Sequence, residues 1–158
     1  TPSNSSAASD VYKRQAYIEL ETNYDAPNPN LDLAYRIYLY AKKGDINNSY
    51  WCEARYNGAT NTRTLAIYQT VDGTTTLKAS REVTRLGVVT FGFNPTSNTF
   101  VAVPNHSIYT PDTEQLEYVD NTFNPETWDT AYFGIGRWIH NDDTEQSTIT
   151  ISLKFTIT

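Results

Sequence analysis

Aromatic, charged and glycine residues recur at every second position in three segments of the chain, residues 31–42, 50–56 and 131–140. Side chains two residues apart on a β-strand share a face, so each segment would carry its set on one side of a sheet. Flat aromatic rings stack on sugar C–H faces, while arginine, glutamate and histidine hydrogen-bond to hydroxyls and glycine lets a ligand approach the backbone. If these faces belong to one sheet, they form a shallow aromatic groove for a glycan. The candidate ligand-binding residues are Arg36, Tyr38, Tyr40, Trp51, Glu53, Arg55, Trp138 and His140, with Gly134 and Gly136 beside them.

The same pattern has a second interpretation, in which Trp51 and Trp138 form the core of another packed layer. Residues 50–56 are aromatic on both faces, so the sequence leaves open which face of this strand is buried. The groove interpretation predicts that replacing Trp51 or Trp138 by alanine abolishes glycan binding and leaves the fold intact.

Paired carboxylates for glycoside hydrolysis are the second kind of chemistry to consider, because that reaction needs two acids on opposite sides of the scissile bond. The nearest candidates are Glu19 with Glu21, two residues apart, and Glu53 between Trp51 and Arg55. Surface charge on solvated strand faces explains them equally simply. The spacing gives no Ser/His/Asp triad, zinc cluster or phosphate-binding glycine loop, so we identify no catalytic residue and no required cofactor.

Calcium is a further candidate ligand. Asn141, Asp142, Asp143 and Glu145 offer oxygen atoms within one loop, as a hard cation requires, but without the spacing of a defined calcium motif. A polar turn between two strands is the alternative.

The elements that must position these residues are β-strands. Apolar residues alternate with polar ones throughout residues 148–158, which predicts a half-buried strand that forms a hairpin with residues 131–140. Further strands are predicted at residues 17–21, 31–42, 50–56, 64–71, 74–80, 86–93 and 99–103, with a tight turn at Asp72-Gly73 and another turn signal at Asn57-Gly58. The predicted core includes Leu33, Ile37, Leu39, Ile151, Leu153 and Phe155.

Regular turn signals and the lack of helical periodicity predict an all-β protein, which we interpret as an antiparallel jelly-roll β-sandwich. The first and last strands of such a fold commonly lie together, which would place residues 17–21 near the C-terminal strand. Residues 104–130 are the one long irregular stretch of the predicted fold.

The charge and the apolar content of the chain argue against two classes of binding partner, nucleic acids and membranes. A net charge of −6 gives no electrostatic reason to bind nucleic acid, and no apolar run is long enough for membrane insertion. The single cysteine, Cys52, excludes an internal disulfide and leaves the redox compartment open.

The first residues are set apart from the fold. Residues 5–15 match one translated reading frame of a transposase-based sequencing adapter, so residues 1–15 are interpreted as a disordered tail of non-biological origin. Residues 16–158 then form a single β-sandwich domain. On this interpretation the native N-terminus, and any signal peptide, lies outside the sequence.

The strand order, the glycine-bearing segment Tyr132-Phe133-Gly134-Ile135-Gly136 and the closing Ile/Leu/Phe strand resemble the concanavalin A-like superfamily of lectins, laminin-G-type modules and glucanases. This resemblance covers residues 16–158 and implies a curved jelly roll whose concave face or edge loops hold carbohydrate, sometimes with calcium.

One enzymatic branch of that superfamily, the alginate-lyase-like proteins, ends in a Tyr-Phe-Lys-Ala-Gly-x-Tyr strand. Residues 132–138 are similar to it, but Gly134 replaces the lysine and Trp138 the tyrosine acid. Tyr68-Gln69-Thr70 also lacks the histidine of the branch's Gln-Ile-His. A polysaccharide lyase or glycoside hydrolase is therefore the weakest alternative.

Two main functions remain. The first is a non-catalytic carbohydrate-binding or surface-recognition module of a larger secreted or surface protein, with a polysaccharide or glycan and neighbouring domains as partners. The second is a structural module of a virion, a tail fibre or a cell-surface layer. We expect an extracellular or cell-surface location for the first and a virion or cell surface for the second.

Overall fold

The computed structural model describes residues 15–22, 32–40, 45–94, 97–104, 113–122, 132–139 and 149–156. These residues form two antiparallel β-sheets, and they contain no helix. The strands are β1 (Gln15–Thr22), β2 (Asp32–Tyr40), β3 (Ser49–Asn57), β4 (Thr62–Val71), β5 (Thr74–Val83), β6 (Val88–Asn94), β7 (Thr99–Pro104), β8 (Leu116–Val119), β9 (Tyr132–Ile139) and β10 (Ile149–Thr156). The predicted all-β, antiparallel architecture is confirmed.

Strand order defines the two sheets. The first sheet has the order β10-β1-β6-β7-β8, and the second has the order β5-β4-β3-β2-β9. Within them, β2 to β5 and β6 to β8 are meanders in which each strand pairs with the next along the chain. The connection between β5 and β6 carries the chain from the second sheet to the first.

The first and last strands of the chain pair with each other, although they are far apart in sequence. β1 pairs with β10 in an antiparallel register that places Gln15 opposite Thr156 and Thr22 opposite Ile149. The predicted proximity of the first and last strands is therefore confirmed. The predicted hairpin between residues 131–140 and the last strand is wrong, because β9 pairs with β2 in the second sheet and β10 with β1 in the first.

One apolar core lies between the sheets. It combines β2 to β4 of the second sheet with β6 to β8 of the first, and its fully buried side chains include Phe91, Phe100, Leu65 and Ile67. Tyr50 stacks on Phe100 across this layer, with ring centroids 4.0 Å apart. The predicted burial of Leu33, Ile37 and Leu39 is confirmed; the side chains of Ile151, Leu153 and Phe155 lie outside the described residues.

Alternation fixes which positions face this core. Leu33, Tyr35, Ile37 and Leu39 of β2 enter it, as do Tyr50, Cys52, Ala54 and Tyr56 of β3. The intervening residues of both strands therefore lie on the opposite side of the second sheet, which we call its outward face.

Two of the turns between strands contain residues with a left-handed backbone conformation. Asp72 and Gly73 adopt φ values of 48° and 80°, the pair of left-handed conformations that a two-residue hairpin requires, so the predicted tight turn is confirmed. In the connection after β3 the left-handed residue is Asn61, with φ of 52°, and not Gly58.

The segment predicted to be irregular contains a strand. β8 pairs with β7 at the end of the described part of the first sheet. Arg81 of β5 donates to the carbonyl oxygens of Thr113 and Gln115 at 3.1 and 3.0 Å, so the approach to β8 is tied to the second sheet as well.

β1 begins at Gln15, one residue before the boundary predicted for the domain. Residues 1–14 lie outside the described residues. Within the part of the chain that the structure describes, no helix is long and apolar enough to cross a membrane.

Candidate functional site

The outward face of the second sheet brings together most of the residues that the sequence singled out. Arg36 of β2 lies between Glu53 of β3 and Gly136 of β9, and the next position on this face, Tyr38, lies between Trp51 and Gly134. Residues that are opposite each other in a register share a face, so the three predicted sets belong to one sheet.

An aromatic cluster of Tyr38, Trp51 and Tyr68 occupies the middle of this face, on β2, β3 and β4. The Trp51 ring stacks on the Tyr68 ring at 4.1 Å and 15°, and it meets the Tyr38 ring at 5.6 Å and 36°. Its Nε1 donates to Oγ1 of Thr70 at 2.9 Å, so the indole is fixed at both its apolar and polar ends.

The three rings of this cluster differ in how much of each is exposed to solvent. Tyr38 is 4% exposed and Trp51 is 6% exposed, whereas Tyr68 is half-buried. Trp51 therefore lies outside the core between the sheets but is not an open stacking surface. Among the three described rings of this cluster, the one that a ligand could reach is Tyr68, backed by Trp51.

Arg36 joins the aromatic cluster to a buried carboxylate. Its Nε donates to Oε2 of Glu53 at 2.7 Å, and its guanidinium carbon lies 4.6 Å from the centroid of the Trp51 ring. Burial lowers the pKa of Arg36, but hydrogen bonds with Tyr38 and Glu53 outweigh this and hold the pKa above its ordinary value. Arg36 is thus a fixed cation, matched by Glu53, which is only 8% exposed.

Arg55 forms the second ion pair of this face. Its Nε and Nη2 donate to the two carboxylate oxygens of Asp32 at 2.9 and 2.7 Å, a bidentate arrangement across β3 and β2. The hydrogen bonds to Asp32 raise the pKa of Arg55. Its side chain is 39% exposed, which makes it the more accessible of the two arginines.

Tyr68 and Asp32 were not among the residues predicted from the sequence. The signal for Tyr68 was present, because Leu65 and Ile67 enter the core and alternation then places Tyr68 outward with Trp51. Burial, followed by the nearby Glu53 carboxylate, raises the pKa of Tyr68. A phenol is already protonated at physiological pH, and this shift only extends that range, so Tyr68 can both donate and accept a hydrogen bond.

Gly136 lies against Tyr38 and Arg36 on this face. A Cβ atom at this position would lie 3.4 Å from Cε2 of Tyr38 and 3.9 Å from Cβ of Arg36. These are ordinary van der Waals distances, so packing against Tyr38 and Arg36 does not by itself require a glycine at this position.

The remaining predicted residues are less fully described. Trp138 is registered opposite Ala34, in line with Gly134 and Gly136, and Tyr40 is registered opposite Tyr132 and Ser49. The side chains of Trp138 and Tyr40 lie outside the described residues, as does all of His140.

The candidate acidic residues lie on both sheets, and the side chains of Glu19 and Glu21 lie outside the described residues. Glu53 is on the second sheet, whereas Glu19 and Glu21 are on β1 of the first sheet. Among the described residues, no group of three or more His, Cys, Asp or Glu side chains could hold a metal ion. The candidate calcium loop, Asn141 to Asp143 with Glu145, lies outside the described residues.

Comparison of the chain with protein-family models, with curated proteins and with solved structures finds no match.

Proposed function

We propose that this chain is a non-catalytic carbohydrate-binding module whose ligand lies on the outward face of the second sheet. The observation that carries the proposal is the stacked pair of Trp51 and Tyr68, in which a half-buried tyrosine ring is held flat by a buried tryptophan. Holding the ring in place before binding reduces the entropy that a stacked sugar would otherwise cost.

Polar groups suited to hydroxyl recognition surround that ring. Glu53 and the two arginines, Arg36 and Arg55, all lie on the same face, and all three are fixed by ion pairs. A single ring with a few hydrogen bonds corresponds to affinities in the millimolar to tens-of-micromolar range, about 4 to 6 kcal/mol.

The pairing of the terminal strands supports a jelly-roll topology for the two sheets. Two successive terminal pairs, β1 with β10 and β2 with β9, lie in different sheets, as in an antiparallel ribbon wound into a jelly roll. We propose a jelly-roll sandwich of the concanavalin A-like kind, acting as an extracellular or cell-surface part of a longer protein.

A second candidate function is favoured by one observation, the nearly complete burial of Tyr38 and Trp51. In a structural module of a virion, tail fibre or cell-surface layer, this face would be part of the packed body of the protein and no glycan would bind. The same binding experiment separates the two functions.

The test is a glycan array followed by calorimetric titration of the oligosaccharides that bind. Tyr68→Ala should abolish measurable binding, because removal of one stacking ring can cost most of a weak affinity. Tyr68→Phe keeps the ring and should retain binding within about fivefold, since the loss of one neutral hydrogen bond is worth about 1 kcal/mol.

The matched control is Val119→Ala, which trims an exposed apolar side chain on β8 of the first sheet. It should bind as the wild type does. If no oligosaccharide binds the folded wild-type protein, the structural-module function is the better explanation. If Tyr68→Ala binds as tightly as the wild type, this face is not the glycan site.

A further inference from the structure

We infer that the outward face of the second sheet selects uncharged glycans over polyuronates and sulfated polysaccharides. This inference rests on the proposed function and adds the class of ligand. The observation behind it is that both arginines described on this face are already paired with carboxylates of the same sheet.

The two ion pairs use the atoms with which an arginine would bind an acidic sugar. Arg55 presents the edge that carries Nε and Nη2 to both oxygens of Asp32, which is the bidentate geometry of carboxylate recognition. Arg36 presents its Nε to Glu53 and lies above the ring of Trp51. An incoming carboxylate would have to compete with Asp32 or Glu53 for these groups.

Displacing either carboxylate would be unfavourable. Glu53 is buried, and removing its arginine partner would leave a desolvated negative charge without compensation. Adding an anionic ligand to two arginines and two carboxylates would also give the face a net negative charge. The chain as a whole carries a net charge of −6, so long-range electrostatics repel a polyanion as well.

Uncharged sugars meet none of these costs. A hydroxyl both donates and accepts a hydrogen bond, so it can bond to a paired arginine or carboxylate without separating the pair. The Tyr68 phenol, which is neutral at physiological pH, offers the same dual hydrogen bonding next to its stacking surface.

The test compares hexasaccharides of uncharged sugars with hexauronates of alginate and polygalacturonate, by calorimetry at low salt with the wild-type protein. We expect at least one uncharged hexasaccharide to bind, and every hexauronate to bind at least tenfold more weakly. Asp32→Asn, which releases Arg55 and removes one negative charge, should strengthen hexauronate binding by about fivefold, the upper range for a solvent-exposed ion pair.

The control is Glu117→Gln, which removes one negative charge from an exposed position on β8 of the first sheet. It should change hexauronate binding by less than twofold. Tighter binding of a hexauronate than of any uncharged hexasaccharide by the wild type would overturn this inference and leave the glycan site in place. Binding of neither class would overturn the proposed function itself. The comparison on the wild type stands even if Asp32→Asn is poorly folded.

Discussion

Trp51 supports the outward face of the second sheet but is too deeply buried to contact a ligand directly. Its ring is stacked on Tyr68, meets Tyr38 and lies beneath Arg36, while its nitrogen is bonded to Thr70. Because it has this many partners, we expect Trp51 to contribute mainly to the stability of the fold and, through Tyr68, to the shape of the accessible face.

We therefore expect Trp51→Ala to lower the free energy of unfolding by roughly 3 to 5 kcal/mol, as truncation of a buried aromatic residue does. Tyr68→Ala, at a half-buried position, should cost about 1 to 2 kcal/mol. Urea denaturation of both variants measures the difference. Equal costs for the two variants would mean that Trp51 is not the support of the cluster.

The sequence was enough to predict which residues lie on the outward face of the second sheet, but not which of them a ligand could reach. Alternation alone placed Arg36, Glu53 and Trp51 on shared faces, and the registers confirm that they meet. It could not tell that Trp51 is covered, because burial of an outward residue depends on which neighbours stack over it. The same limit led us to expect that Trp51→Ala would leave the fold intact, whereas the geometry predicts a loss of stability.

At the scale of elements, a buried carboxylate ties the end of β8 to the second sheet, in addition to the apolar contacts that Leu116 and Tyr118 of this strand make with the core. Asp120, just after this strand, is 4% exposed and accepts hydrogen bonds from the hydroxyl of Tyr50 and from the backbone N and hydroxyl of Thr122. Its own backbone N donates to Asn98 at 2.9 Å. Tyr50 in turn accepts from Gln69 at 2.9 Å, so one buried carboxylate links β8 to β3 and β4.

Replacing Asp120 by alanine should lower the free energy of local opening around β8 by roughly 2 to 4 kcal/mol, because the buried Tyr50 hydroxyl loses a charged acceptor. Hydrogen exchange should show faster exchange at the amides of β8 and unchanged protection in β3. The control is Asp45→Ala, in an exposed turn where the carboxylate bonds to Asn48. Uniform loss of protection in both sheets would contradict this local role of Asp120.

Features set by adjacent residues could be predicted from local patterns, whereas the pairing of distant strands could not be predicted from those patterns. The turn at Asp72-Gly73 follows from two residues with a known conformational preference. The pairing of β9 with β2 joins segments far apart in sequence, and alternation carries no information about which strand is the neighbour. The proximity of β1 and β10 was predicted from the assigned fold and not from alternation. β8 is only four residues long, too short for a periodic signal.

At the scale of the whole molecule, two buried groups of the core make stability depend on pH in the alkaline range. Burial raises the pKa of the Cys52 thiol, and burial together with the hydrogen bond to Asp120 raises the pKa of Tyr50. Both groups stay protonated in the folded protein at a pH where they ionise in the unfolded chain. Their contribution to stability is full below the unfolded pKa and falls as pH rises above it.

Stability should therefore decline above about pH 8.5, where an unfolded cysteine ionises, and more steeply above about pH 10, where an unfolded tyrosine does. Each group adds a slope of about 1.4 kcal/mol per pH unit. Urea titrations between pH 7 and 11 measure this dependence. Cys52→Ala should flatten the decline between pH 8.5 and 10, and Tyr50→Phe should reduce it above pH 10. A decline that neither variant alters would exclude these residues as its cause.

The pairing of β1 with β10 also determines how the domain would respond to mechanical force. Gln15 and Thr156 are in register, so the chain enters and leaves the first sheet side by side at one end. Tension applied through the segments that flank these two residues would open the β1–β10 ladder one hydrogen bond at a time instead of shearing all of its bonds together. Such a domain yields at low force, and would act in a filament or a tethered surface array as an extensible link and not as a rigid one.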